Sequence, residues 1–97
     1  MVVYIAGKMT GLPDLGHEKF NEAEKLLTEK GYVVLNPARL PKGMPGERYM
    51  PICLSMVAQA DALFVLDNWK DSEGASLEAA YALYQGKQIM AFEQVVK

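Results

Sequence analysis

Four short apolar runs, spaced by stretches long enough to form helices, constrain this chain more than any other feature of its sequence. The first, Val2-Val3-Tyr4-Ile5-Ala6, is continuously apolar and stops at Gly7, the pattern of a strand covered on both faces. The second is Tyr32-Val33-Val34-Leu35, which Asn36-Pro37 ends because proline lacks the amide a ladder needs and restricts the residue before it. Ala62 to Leu66 is the clearest of the four, and it delivers Asp67, Asn68 and Trp69 to its C-terminal end. Gln88 to Phe92 is the last. Between the first two runs, Phe20, Ala23, Leu26 and Leu27 share one stripe of a helix predicted over His17 to Lys30, with Gly31 as its stop. A second helix is predicted over Glu47 to Gln59, with Pro51 either inside it or opening a shorter one. The third, Gly74 to Tyr84, sets Leu77, Ala80, Tyr81 and Tyr84 on one face, and Gly86 closes it.

A strand that is followed by a helix and then by another buried strand needs a helix-length return, which makes the pairing parallel and the crossover right-handed. The predicted fold is therefore α/β: a flavodoxin-like (Rossmann-like), doubly wound parallel sheet of four to five strands in the order 2-1-3-4. Residues 1–97 read as a single domain, with no internal repeat or linker. In such sheets a ligand crevice lies outside the strand C-termini where the order reverses. That rule brings three loops together: Gly7 to Gly16, Asn36 to Gly46, and Asp67 to Gly74.

Composition removes several classes of function. The formal net charge of −2 supplies no positive field for a nucleic acid polymer, although a single nucleotide stays within reach. Cys53 is the only cysteine and His17 the only histidine, so neither a disulfide nor a thiolate or histidine metal site is expected, and a reducing, cytoplasmic setting fits. The apolar opening run is far shorter than a membrane span and lacks the flanks of a signal peptide, so neither membrane insertion nor export is expected.

The candidate chemistry sits in the three loops. Ser72-Glu73-Gly74-Ala75-Ser76-Leu77-Glu78 joins a strand-end loop to a helix whose first amides can receive an anion, and Gly74 allows a close backbone approach. Glu78, in about the first turn, is favoured as a carboxylate by the helix dipole, as a nucleophile requires. The commoner reading of such a residue is a solvated helix glutamate, with Ser72 or Asp71 capping the helix. Tyr4 either packs in the core or turns its hydroxyl to the crevice. Gly7, Lys8, Met9 and Thr10 form a loop able to bind phosphate or ribose, yet they match neither the dinucleotide fingerprint nor the Walker loop. Asn36 and Asp67 end neighbouring strands and either orient a base or sugar or serve turn chemistry. Trp69 either stacks on a base or covers the core.

Taken together, Tyr4-Ile5-Ala6-Gly7-Lys8-Met9-Thr10-Gly11, Asn36-Pro37, Ala60-Asp61 and Ser72-x-Gly74-Ala75-x-x-Glu78 resemble the nucleoside 2-deoxyribosyltransferase-like superfamily, closest to a small branch found in phages and prophages. More distantly the chain is similar to deoxynucleoside 5′-monophosphate N-glycosidases. The resemblance implies that Glu78 attacks the anomeric carbon of a nucleoside or nucleotide and expels the base. It further implies that Tyr4 positions Glu78, that Ser72, Gly74 and Ala75 meet the sugar or a 5′-phosphate, and that Gly7 to Thr10 line the pocket. No cofactor is implied, and a homodimer or higher oligomer is expected. The superfamily's aspartate that assists base departure, in the helix before strand three, is matched here by Cys53. A protein that binds a nucleotide without turning it over is the alternative that this departure raises.

Overall fold

The structure, a computed structural model, describes residues 1–92 and 95. Strands β1 (Val2–Ala6), β2 (Val33–Leu35), β3 (Ala62–Val65) and β4 (Gln88–Met90) form one parallel sheet in the order β2-β1-β3-β4. Val3 pairs with Val34 on one side and with Ala62 on the other, and Phe64 pairs with Met90. The predicted α/β class, strand order and switch point are those observed, with four strands.

Helices α1 (His17–Glu29), α2 (Gly46–Gln59) and α3 (Glu73–Tyr84) make the crossovers. Alternation along β1 and β3 divides the core into two halves. Val3, Ile5, Ala62 and Phe64 meet Phe20, Ala23 and Leu27 of α1 on one face. Tyr4, Ala6, Leu63 and Val65 meet Cys53 and Val57 of α2 and Ala75, Ala79 and Ala82 of α3 on the other. Coverage on both faces is the reason the strands read as unbroken apolar runs. Each fully buried large side chain, such as Phe20 or Leu27, contributes roughly 1.5–3 kcal/mol.

Two readings of the sequence are corrected or decided. In α3 the face bearing Leu77, Ala80 and Tyr84 points outward, and Tyr84 is 89% exposed. The helix seats itself on the sheet through alanines instead, because small side chains let it approach closely, with Glu78 among them. Pro51 lies within the second turn of α2, so the longer of the two predicted helices is the one formed. The strands are also shorter than their apolar runs: Tyr32 precedes β2, and Leu66 and Phe92 lie beyond the ends of β3 and β4. Among the described residues, no helix is long and apolar enough to cross a membrane.

Candidate functional site

Beyond the C-terminal ends of β1 and β3 lies a cleft of about 790 Å³, walled by parts of all three predicted loops. The loop after β1 contributes Gly7, Lys8, Met9 and Thr10, and the loop before α3 contributes Asp71 and Ser72. The loop after β2 supplies Leu40 to Met44 and is held from within: the Tyr49 hydroxyl donates to the Pro41 carbonyl at 2.6 Å and accepts from the Met44 amide at 3.3 Å. Lys42 reaches across to Asp14 of the first loop at 2.8 Å, and the Lys8 amide donates to Asn68 Oδ1 at 3.0 Å. The first loop is thus tied to both of the others.

Glu78 forms part of the cleft lining and is only 6% exposed. Its position follows from α3: with Ala75, Ala79 and Ala82 against the sheet, the residue one turn after Ala75 must face inward as well. There the Tyr4 hydroxyl, rising from β1, donates to Glu78 Oε2 at 3.0 Å. Cys53, projecting from α2, packs in the same buried cluster as Tyr4 and lines the cleft with Glu78. Burial pushes the Glu78 carboxyl up to about 7, against the opposing pull of the hydrogen bonds from Tyr4 and Cys53. This corrects the expectation of a dipole-ionised carboxylate. Glu78 is the sixth residue of α3, beyond the turn where the dipole acts, and desolvation dominates. The Tyr4 phenol is held far above its usual range by burial and by the neighbouring Glu78, and burial raises the Cys53 thiol too. Tyr4 and Cys53 are therefore both neutral beside one carboxyl, and Tyr4 donates to it.

Of the residues singled out in the sequence, Tyr4, Gly7, Lys8, Met9, Thr10, Ser72, Gly74, Ala75 and Glu78 line this cleft. Ser72 is also the N-cap of α3, its hydroxyl accepting from the Ala75 amide at 3.1 Å. Gly7 is required by packing, since a Cβ there would come within 2.5 Å of Leu66 Cδ1. Asn36 and Asp67 lie elsewhere, and neither lines the cleft. Asn36 is 4% exposed, accepts from the Ala38 amide, and donates to Glu24 at 3.0 Å and toward Phe20 and Asn21, so its amide group is occupied in joining β2 to α1. Asp67 is exposed and paired with Lys19 at 2.8 Å, on the α1 side of the sheet. Trp69 packs half-buried against the core on the α2 and α3 side. Asp61 accepts from the Val2 amide at 2.8 Å, at the opposite end of the sheet from the cleft. The sequence reading missed His17, Tyr49 and Met50, which also form part of the wall. Their only signal was adjacency to the predicted loops.

A family model described as "Domain of unknown function (DUF4406)" matches residues 1–91. The chain belongs to the DUF4406 family. Among curated proteins, none matches. Solved structures do resemble this DUF4406 chain. A 2-desoxiribosyltransferase from Leishmania mexicana matches with a TM-score of 0.74 and 24% identity, over 94% of this chain and 63% of that one. A 2-deoxyribosyltransferase from the psychrotolerant bacterium Bacillus psychrosaccharolyticus matches with a TM-score of 0.73 and 23% identity, over 94% of this chain and 71% of that one. The DUF4406 chain spans under two thirds of the length of the Leishmania protein. At these identities the likeness is one of fold, a four-stranded parallel sheet with covering helices.

Proposed function

We propose that this protein cleaves the N-glycosidic bond of a nucleoside or nucleotide, by hydrolysis or by deoxyribosyl transfer, with Glu78 as the nucleophile at the anomeric carbon. The observation that carries the proposal is a single carboxyl, taken out of water, hydrogen-bonded to Tyr4 and lining a cleft at the strand C-termini. Expulsion of the base passes through an oxocarbenium-like state, which an adjacent carboxylate stabilises as it does in retaining glycosidases. Tyr4 fixes the carboxyl through its hydrogen bond. Ser72, Gly74 and Ala75 line the cleft at the start of α3, where the Ser72 hydroxyl and the Gly74 backbone meet a sugar or a 5′-phosphate. Gly7 to Thr10 form the facing wall. The two 2-deoxyribosyltransferases that share the fold support the same reading. Water or a second base as acceptor then separates hydrolase from transferase.

One observation favours a second reading, binding without turnover: Cys53, rather than a carboxylic acid, stands beside Glu78. Incubation with deoxynucleosides and deoxynucleoside monophosphates, with and without an acceptor base, decides between the two when free base is followed by chromatography. Glycosidic cleavage predicts base release that vanishes in Glu78→Ala. Recovery of intact ligand from the folded wild type after long incubation would establish binding alone.

A further inference from the structure

Resting on the reading of Glu78 as a nucleophile, we infer that the preferred substrates carry a base already cationic in the ring that bears the glycosidic bond, such as an N-alkylated purinium or a pyridinium. Among the described residues the only buried polar or charged side chains are Glu78 and Asn36, and Asn36 is bonded to α1 outside the cleft. No second carboxyl accompanies Glu78 in its buried shell, which is completed by Tyr4 and Cys53. Both of these hold their protons more tightly than usual, so neither is suited to protonate a departing base. Glu78 cannot attack as a carboxylate and donate a proton in the same step.

A cationic base removes the need for that proton. The Glu78 oxygen bonds to the anomeric carbon as the carbon–nitrogen bond breaks, and the electron pair of that bond neutralises the ring. Water then attacks the same carbon, the carboxylate is released, and the proton passes to solvent. The cleft wall suits such a ring. Asp71 and Glu73 are exposed acidic side chains at the α3 end, while Lys8 and the Asp14-paired Lys42 stand on the other two loops. His17 also lines the cleft, at the start of α1 and outside the buried shell.

The test compares 2′-deoxyguanosine with 7-methyl-2′-deoxyguanosine, and their 5′-monophosphates, corrected for uncatalysed release. The inference predicts a kcat/KM for the methylated member that is higher by about 100-fold or more, the usual worth of a general acid. Cys53→Asp, which returns a carboxylic acid to the shell, narrows this gap by speeding the unmethylated member. Asp71→Asn with Glu73→Gln, both at exposed positions, raises KM for the cation more than for the neutral substrate and provides a reading should Cys53→Asp fail to fold. Similar kcat/KM for both members, with release still dependent on Glu78, would overturn the inference and leave the glycosidase reading standing. No release from either member by folded protein would remove both.

Discussion

Glu78 is a carboxyl that the fold removes from water, and its proton follows from that. Its folded value, about 7, lies above the 4.5 of an ordinary glutamate. Between those values the folded chain keeps a proton that the unfolded chain has lost, so stability falls as pH rises through this window and the full cost is present above it. At about 1.4 kcal/mol per unit the loss is roughly 3 kcal/mol. Urea unfolding at pH 5 and pH 8 should show it in the wild type and lose it in Glu78→Gln, whose amide has no proton to release. Comparison with that variant isolates Glu78 from the other groups on the cleft, Lys8, His17, Lys42, Asp71 and Glu73. The same ionisation sets activity: kcat/KM for base release should rise with pH through about 7, as the nucleophile becomes a carboxylate. Tyr4→Phe removes the hydrogen bond that favours the ionised form, so the rise should move to higher pH, a displacement that loss of packing alone would not produce. Tyr4 and Glu78 were legible in the sequence as candidates. Their 3.0 Å bond was not, because 74 residues separate them.

At the scale of elements, the site is made by the way α3 and the strand-end loops meet the sheet. Ser72 caps α3 and the alanine row sets its rotation, and together they decide that Glu78 faces inward while Leu77 and Tyr84 face out. A periodicity reading that ranks side chains by hydrophobicity selects the larger residues, and so it chose the wrong face of this helix. Close packing against a sheet selects the smaller ones. Asn36 shows the converse. Its position at the end of β2 marked it for a ligand, but an amide there can equally satisfy the backbone of the next turn and the neighbouring helix, and in this fold it does both. Asn36→Ala should cost about 1–3 kcal/mol in chemical denaturation, since it takes the acceptor from the Ala38 amide and a donor from Glu24. Base release per folded molecule should change little.

For the molecule as a whole, parallel pairing with helices on both faces leaves the sheet covered, yet the outer face of α3 keeps Leu77, Leu83 and Tyr84 in solvent. We propose that the self-association expected from the sequence occurs through this face. Equilibrium sedimentation at micromolar concentration should return at least a dimer, and Leu77→Glu with Tyr84→Lys should return a monomer. A monomer from the wild type would remove the proposal.

The amino-acid sequence by itself determined the layered fold and the strand order. Four buried runs separated by helix-length returns admit few other connections, and the reversal of strand order then placed the crevice at the strand ends. It also assigned most of the residues that line the cleft to the three loops that a parallel sheet gathers at one end. Tertiary structure alone decided the rest. The protonation of Glu78, the 3.0 Å bond that matches the positioning role the family resemblance implied for Tyr4, and the diversion of Asn36 and Asp67 to structural bonds all depend on desolvation and on contacts between distant segments. Local pattern carries the period of a helix or strand. It carries neither the distance between two side chains on different elements nor the water excluded between them.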